Sequence, residues 1–289
     1  MKLQTIVDIA PSAWKIGYED KILMVGSCFS DEIGRQMAER KMQVTCNPFG
    51  TLYNPLSIAN AINYKSEIIN HKSEIPLIFN EGLYHSMAHH GSFSRADRQE
   101  AEQAVRTSID TMQQALQEAT VVIVTFGTAW VYEMNGAIVG NCHKLPADTF
   151  TRRRLSVEEI VATWEPILER YPDKRWLFTV SPIRHIKDGL HENQLSKATL
   201  LMAIEQLIQS NNQSSNRQSS NRQYFEAFEI LLDELRDYRF YADDLVHPSS
   251  LAVNYIWEHF IDTFCTPQTR NEMTLQLKRW KQFQHRPLH

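Results

Sequence analysis

Residues 22–34 of the chain read ILMVGSCFSDEIG. The first four residues are apolar and are typical of a buried β-strand. The run ends at Gly26, and Ser27 and Cys28, two side chains capable of nucleophilic attack, come directly before a segment that favours a helix. A helix N-terminus carries unpaired N–H groups and a partial positive charge, and both stabilise a thiolate or an oxyanion. This stretch therefore predicts the first strand of an α/β sheet and a candidate catalytic turn after it.

Four further segments suit strands because they are short and rich in apolar or β-branched residues. With the first strand, the predicted set is 22–25, 43–47, 121–126, 176–180 and 224–228. Helical patterns lie between most of them, among them an apolar stripe within 95–119. Strands that alternate with helices predict a parallel sheet covered on both faces. The carboxyl ends of such strands form one rim, where Gly26, Gly50, Gly127 and Ser181 are expected to meet.

The 289 residues predict a single domain, 1–289, with three local features. Asn135-Gly136 lies between two short apolar segments and predicts a small hairpin insertion near 131–141. Residues 210–223 contain Ser-Ser-Asn-Arg-Gln twice and no apolar side chain, so they predict a disordered polar loop. A C-terminal helix is predicted for 269–285.

Composition restricts the class of protein. Hydrophobic residues make up 43% of the chain and charged residues 22%, which is ordinary for a globular protein. The net charge of −4 argues against a nucleic-acid partner and against an anionic membrane. The first residues lack the apolar core of a signal peptide, so we expect a cytoplasmic protein. The four cysteines form no CxxC motif, and in a cytoplasmic protein they are expected to be free thiols.

Searches for cofactor and metal motifs give nothing. The sequence contains no phosphate-binding glycine loop, no dinucleotide-binding glycine motif and no HExxH pair. Neither a cofactor nor a metal is therefore expected. The histidine cluster of His85, His89 and His90 has no acidic residue or cysteine close by in sequence, and a solvated loop is predicted there.

A second candidate feature lies near the end of the chain, where Asp244 and His247 are three positions apart. In a single turn this spacing puts both side chains on one face. A carboxylate can then orient the imidazole and stabilise its charged form, as in a catalytic triad. The same spacing also suits a capping aspartate beside a surface histidine, so the motif alone leaves both interpretations open.

Several motifs along the chain carry a resemblance to a known family. They are Gly26-Ser27-Cys28-Phe29-Ser30, Asn47–Pro55, Phe126–Trp130, Gly140–Lys144, Val180–Arg184 and Asp244–Pro248. Together they resemble the SGNH (GDSL-type) hydrolase superfamily and, more narrowly, the GSCFA family, over roughly Ile22 to Phe264. The resemblance implies a three-layer α/β/α sandwich with a mainly parallel five-stranded sheet, SGNH-hydrolase-like and flavodoxin-like. It also implies ester or acyl chemistry.

The resemblance also implies roles for the two motifs. The first sequence motif of the superfamily is Gly-Asp-Ser. When this motif is aligned with Gly26-Ser27-Cys28 without a gap, Ser27 corresponds to the aspartate and Cys28 corresponds to the nucleophilic serine. Cys28 is thus the implied nucleophile and Ser27 the alternative, with His247 as the base and Asp244 as its orienting carboxylate. A thiol at a helix N-terminus beside a histidine is expected to have a lowered pKa.

One departure from the superfamily concerns the oxyanion hole. The superfamily's Gly-x-Asn motif corresponds to Gly127-Thr128-Ala129 in this chain. The asparagine amide that would bind the oxyanion is therefore missing. The backbone N–H groups of Cys28 and Gly50 are expected to remain as donors.

Other side chains are candidates for the missing donor or for the pocket wall. Thr128, Asn54 and His143 are candidates for the donor. His143, together with Arg184 and His185 beyond the fourth strand, is expected to line the pocket.

The expected function is an SGNH-like esterase or acyltransferase that acts through a covalent acyl-enzyme and uses no cofactor. Its expected partner is a small-molecule acyl ester or carbohydrate, and the superfamily suggests an O-acetyl group. The alternative is a catalytically inactive ligand-binding protein on the same fold. The missing asparagine favours this alternative, whereas the combination of Cys28, His247 and Asp244 favours the enzyme.

Overall fold

The central sheet has five parallel strands in a computed structural model that describes residues 4–64, 74–212 and 221–284. These strands are β1 (Lys21–Gly26), β2 (Gln43–Cys46), β5 (Val121–Phe126), β9 (Arg175–Val180) and β10 (Arg222–Phe225). Two antiparallel sheets lie outside it: β3 (Ile78–Asn80) with β4 (Leu83–His85), and β6 (Trp130–Met134) between β7 (Ala137–Val139) and β8 (Thr151–Arg154).

The order of the central strands is β2-β1-β5-β9-β10, and every neighbouring pair is parallel. Counted along the chain this is the doubly wound order 2-1-3-4-5, in which the winding direction reverses between β1 and β5. Ligands of such sheets bind outside the carboxyl ends of the strands, at the point of reversal. The segments that follow β1 and β5 therefore begin at the place where a site is expected.

Helices cover both faces of the sheet. One face carries α2 (Pro55–Ile62), α3 (Arg98–Glu118), α4 (Val157–Arg170) and α5 (Leu190–Asn212). The other carries α1 (Cys28–Glu39), α6 (Ala227–Glu229), which continues into a π-helical segment (Ile230–Leu235), α7 (Ser250–Phe264) and α8 (Pro267–Gln284). None of the described helices combines the length and the apolar character that a membrane crossing requires.

The alternation of side chains along each strand divides the core in two. Leu23 and Val25 of β1 point into the cluster under α2 to α5, whereas Ile22 and Met24 point into the cluster under α1 and α7. Because both faces are covered, all six residues of β5 are buried. The α/β class and the five-stranded parallel sheet predicted from the sequence are thus confirmed.

The structure differs from the prediction at the end of the last central strand and in the short strands outside the central sheet. The last strand, predicted for 224–228, ends at Phe225, because Ala227 already begins a helical turn. The β3–β4 hairpin and β8 were not predicted, since strands of three or four residues with few apolar side chains carry little periodic signal. Of the segment 210–223 that was predicted as a disordered polar loop, residues 210–212 belong to α5 and residues 222–223 belong to β10, whereas residues 213–220 lie outside the described residues.

Candidate active site

The turn after β1 is built around a glycine. Gly26 has a φ of +140°, and a Cβ atom there would lie 2.2 Å from the carbonyl oxygen of Thr125 on β5. Its N–H donates to Oδ1 of Asn47 at 2.8 Å, and its carbonyl accepts from the N–H of Leu52 at 3.0 Å. Only glycine combines this backbone conformation with so close an approach of the neighbouring strand. The turn is therefore held rigidly where α1 begins.

The two candidate nucleophiles occupy different positions in this turn. Ser27 is only 1% exposed and is the N-cap of α1, where its Oγ accepts from the N–H of Phe29 at 3.3 Å. Cys28 is the first residue of α1, is partly exposed and lines a cavity. Ser27 is not among the residues that line this cavity. The thiol therefore faces the space where a substrate could bind, and the hydroxyl caps the helix.

The expectation of a lowered thiol pKa is not met. Burial raises the pKa of Cys28, and the carboxylates of Asp31 and Glu32 on the same helix raise it further. The N–H groups of Cys28 and Phe29 at the helix N-terminus act in the opposite direction. Desolvation is the largest of these effects, because it penalises the thiolate more than the helix N-terminus stabilises it.

Asp244 and His247 form the pair that their spacing predicted. Oδ2 of Asp244 accepts from Nδ1 of His247 at 2.6 Å, and its Oδ1 accepts from the N–H groups of His247 and Val246 at 3.0 Å and 2.9 Å. The backbone N–H groups and the imidazole together lower the pKa of Asp244 to about 2. With Nδ1 held by the carboxylate, Nε2 is the nitrogen left to exchange protons. The side chains are 49% and 50% exposed, so water screens the pair.

One cavity brings the two motifs together. Its volume is about 750 Å³, and Cys28, Asp244 and His247 all line it. In the described residues, no hydrogen bond joins the imidazole of His247 to Sγ of Cys28. Catalytic hydrogen bonds in empty sites are often long and shorten only when substrate binds.

Aromatic side chains form part of the remaining wall of this cavity. Tyr53, Trp130 and Tyr132 line it, and the guanidinium of Arg152 lies 4.1 Å from the ring centre of Trp130. Arg152 also forms an ion pair with Asp188, another lining residue. The cavity wall therefore combines aromatic rings with an ion pair.

Three of the other candidate residues line the cavity. Asn54 is the N-cap of α2, where its Oδ1 accepts from the N–H of Ser57 at 2.8 Å. Thr128 exchanges a hydrogen bond of 3.1 Å with Ser196. Arg184 donates to the carbonyl of Leu245, between Asp244 and His247, and so ties this loop to the segment after β9.

Gly50, Gly127 and His143 are not among the residues that line this cavity. The N–H of Gly50 donates to the carbonyl of Asn47 at 2.7 Å, and that of Gly127 donates to the carbonyl of Tyr53 at 2.7 Å. Neither N–H is therefore free for an oxyanion. Nε2 of His143 donates to the carbonyl of Ser86 at 2.8 Å, and its ring packs 4.5 Å from that of His85. The expectation that His143 lines the pocket is corrected accordingly.

The prediction of a solvated loop at the histidine cluster is wrong. His85 is 6% exposed and His89 is fully buried, with its two ring nitrogens bonded to Ser86 and Ser108. The ring of His89 stacks on Phe49 at 4.1 Å, and burial lowers its pKa to about 3. Within residues 4–64, 74–212 and 221–284, no group of three or more His, Cys, Asp or Glu side chains could hold a metal ion.

Sequence reasoning missed Lys197 on α5, which is 1% exposed. Its Nζ donates to the carbonyls of Gly127 and Ser181, both at 2.7 Å. Burial lowers the pKa of Lys197 to about 7, and the Cys28 thiolate opposes this shift. One signal was available, because Lys197 lies four and seven positions before Leu201 and Ile204 and so falls on the apolar stripe of the helix. A lysine on such a stripe has its aliphatic stem among apolar neighbours.

His185, next to Arg184, lines the cavity and is partly buried. Burial lowers its pKa to about 3, and the positive charges of Lys197 and His247 lower it as well. Its ring lies edge-on to Tyr53, and its Nε2 is buried without a hydrogen-bond partner. The imidazole is therefore neutral at physiological pH.

Comparison with known proteins gives one match. No curated protein and no solved structure matches the chain. The sequence profile of the GSCFA family matches residues 21–260, which include both the turn at Cys28 and the pair at Asp244 and His247. The chain therefore belongs to the GSCFA family.

Proposed function

We propose that the protein is an SGNH-like esterase or acyltransferase that acts on a small acyl ester. The observation that carries this proposal is the single cavity lined by the Cys28 thiol and by the hydrogen-bonded pair of His247 and Asp244. A nucleophile, a base and a carboxylate that orients the base are the parts that acyl transfer requires. A protein that only binds its ligand has no need for all three in one cavity.

The chemistry follows from these positions. Sγ of Cys28 attacks the ester carbonyl, and Nε2 of His247 takes up the thiol proton. The tetrahedral intermediate then expels the alcohol, which receives that proton from His247, and a thioester remains on Cys28. Water or an acceptor hydroxyl attacks the thioester, again with His247 as base, and frees the thiol. Asp244 holds the imidazole in the tautomer that leaves Nε2 basic.

The oxyanion needs donors other than the N–H groups of Gly50 and Gly127. The N–H of Cys28 is one, because it belongs to the unpaired first turn of α1. Asn54 is the second that we propose, since its Nδ2 gives one hydrogen to Ser57 at 2.9 Å and has another to donate. Asn54 also lines the cavity. In this arrangement an asparagine from α2 replaces the one missing at Ala129.

The cavity wall supports a carbohydrate ester, such as an O-acetyl sugar, as the substrate. Trp130 and Tyr132 line the cavity, and aromatic side chains of this kind can pack against the apolar side of a sugar ring. Arg152, whose guanidinium lies over both rings, and its ion-pair partner Asp188 offer polar groups. The acyl group would then lie at Cys28, and the sugar would extend along the aromatic wall.

Trapping the acyl-enzyme tests the proposal directly. The protein is mixed with 4-nitrophenyl acetate, quenched in acid within one turnover and digested for mass spectrometry. We expect one acetyl group on the peptide that contains Cys28, and we expect hydroxylamine to remove it at neutral pH because thioesters are labile to that nucleophile. The Cys28→Ala protein is the matched control. If neither protein acquires an acetyl group in this turn, the enzyme proposal fails and the ligand-binding alternative replaces it.

The orienting carboxylate gives a second test. In Asp244→Asn, the amide nitrogen would face Nδ1 of His247 and favour the tautomer in which Nε2 cannot accept the proton. Because water screens this half-exposed pair, we expect kcat for 4-nitrophenyl acetate to fall by roughly tenfold to a hundredfold. Asp243→Asn removes the same charge from the adjacent exposed residue and should leave kcat within about twofold. Equal losses in the two variants would contradict the assigned role of Asp244.

A further inference from the structure

Three buried nitrogen atoms on the cavity wall lack a hydrogen-bond partner. Among the described residues, six buried side-chain nitrogen or oxygen atoms have none, and three of the six belong to residues that line the cavity. They are Nε1 of Trp130, Nε of Arg184 and Nε2 of His185. Buried polar groups in folded proteins are almost always paired, so unpaired atoms concentrated in one cavity need an explanation. A ligand that binds there and pairs with them supplies one.

The chemistry of these atoms indicates what such a ligand carries. Nε1 of Trp130 and Nε of Arg184 can only donate. Burial lowers the pKa of His185 to about 3, so its imidazole is neutral and one of its two ring nitrogens carries a hydrogen. With that hydrogen on Nε2, all three atoms are donors. Donors need oxygen acceptors, and a carboxylate or phosphate group offers several in one place.

The charges of the cavity wall also favour an anion. Three cations line the cavity, on Arg152, Arg184 and Lys187, and two carboxylates, on Asp188 and Asp244. Both carboxylates have partners, because Asp188 pairs with Arg152 and Asp244 accepts from the neighbouring imidazole. Among the described residues, Arg184 and Lys187 have no carboxylate partner. In a chain whose net charge is −4, two unpaired cations in one cavity favour an anionic ligand.

Arg184 is held beside the loop that carries the candidate base. Its guanidinium lies 4.5 Å from the ring centre of Tyr241 and donates to the carbonyl of Leu245. Its backbone N–H donates to the carbonyl of Val246 at 3.3 Å. An arginine fixed in this way is preorganised for an anion, since it has little side-chain freedom left to lose on binding.

An ion pair connects Trp130 to the segment that contains Arg184. The guanidinium of Arg152 lies 4.1 Å from the ring centre of Trp130 and pairs with Asp188. Asp188 ends the short 3₁₀ turn Ile186–Asp188, which begins two residues after Arg184. The unpaired donors and the unpaired cations therefore lie on connected parts of the same wall.

We propose that Trp130, Arg184, His185 and Lys187 form a donor wall that binds a carboxylate or phosphate group of the substrate. This inference rests on the proposed function and deepens it, because it assigns the substrate to the anionic acyl esters, such as an ester of an acidic sugar or of a sugar phosphate. The ester lies at Cys28, and the anionic group gives the nitrogens of the donor wall the acceptors that they lack. Side chains at binding sites commonly change rotamer as a ligand enters, which lets buried nitrogens reach it.

Indole N–H resonances measure binding to the donor wall without any ester turnover. The ¹⁵N-labelled wild-type protein is titrated with D-glucuronate, glucose 6-phosphate and D-glucose, none of which carries an acyl group. We expect at least one of the two anions to shift the resonance of Trp130, with an affinity at least about tenfold higher than that of D-glucose. A response to only one anion identifies the group that the wall binds.

Two observations control this titration. Trp130→Phe identifies the resonance of Trp130. The resonance of Trp14 should not move, because its Nε1 is also buried without a partner but its side chain does not line the cavity. The proposal is overturned if neither anion binds more tightly than D-glucose.

A charge variant tests whether the donor wall itself attracts the anion. Lys187 is exposed, and its side chain forms no hydrogen bond among the described residues, so Lys187→Gln should fold normally. We expect it to weaken anion binding about fivefold to tenfold and to leave the affinity for D-glucose unchanged. Arg239→Gln removes the same charge from an exposed arginine that pairs with Asp237 outside the cavity, and it should leave anion affinity within about twofold. Equal losses in the two variants, or no loss in Lys187→Gln, would contradict the proposal.

The two proposals fail separately. Saturable anion binding at Trp130 without any acetyl group on Cys28 would remove the proposed function alone. Formation of the acetyl-enzyme, together with equal affinities for the two anions and D-glucose, would remove the donor wall alone.

Discussion

Cys28→Ala should lower the hydrolysis of 4-nitrophenyl acetate by on the order of 10³-fold or more, to a rate near the spontaneous one. The thiol is the group that would form the covalent intermediate, and neither His247 nor Asp244 can replace it. The loss should appear in kcat, because a small acetyl ester makes few contacts with the thiol before the reaction begins. Steady-state kinetics with the release of 4-nitrophenol as the signal provides the measurement.

Ser27→Ala is the matched control for this prediction. The hydroxyl caps α1 and is not among the groups that line the cavity, so its loss should cost about 1 kcal/mol of folding free energy and leave most of the turnover. The reverse result, with turnover lost in Ser27→Ala and kept in Cys28→Ala, would make Ser27 the nucleophile. Full turnover in both variants would remove the whole site proposal.

Gly26→Ala is expected to lower the free energy of unfolding by about 3–5 kcal/mol, because strain and overlap act together. The new Cβ would lie 2.2 Å from the carbonyl oxygen of Thr125, which is fixed within β5 and cannot move aside cheaply. The φ of +140° is also unfavourable for any residue with a side chain. Urea unfolding followed by circular dichroism measures the change.

Gly82→Ala separates the cost of the backbone strain from the cost of the steric overlap. Gly82 lies in the turn between β3 and β4 and also has a positive φ, +78°, but a Cβ there would meet nothing within 4 Å. Its replacement should cost only the backbone strain, about 1–2 kcal/mol. If Gly26→Ala is no more destabilising than Gly82→Ala, the close approach of β1 and β5 at this turn is not what requires glycine.

The central strands could be predicted because they are buried on both faces. The six residues 121–126 of β5 are continuously apolar apart from one threonine, and they were predicted with the observed bounds. β8 consists of Thr151 and three arginines, and its arginines are satisfied by ion pairs such as those of Arg153 with Glu133 and Glu159. Such pairing partners depend on the tertiary structure, so hydrophobic periodicity could not reveal this strand.

The candidate site, too, could be predicted only where it depends on local sequence spacing. The nucleophile turn and the Asp244–His247 pair come from local spacing, and their presence in one cavity follows from the strand order. The N–H of Gly50 and the ring of His143 were expected at the site and are engaged elsewhere, because a hydrogen-bond partner from another segment cannot be inferred from a single motif. Lys197 was missed although its position on the apolar stripe of α5 could be seen in the sequence.

The two halves of the candidate site come from opposite ends of the chain, and this has a consequence for folding. Cys28 follows the first strand of the sheet, whereas His247 lies in a loop after the last strand, where it is tethered through Arg184. A chain made from its N-terminus would pair β1, β5 and β9 before His247 exists, and closing so long a loop is among the slower steps of folding. Any catalytic activity of this protein would thus require that the loop after the last strand has joined the sheet that was formed earlier.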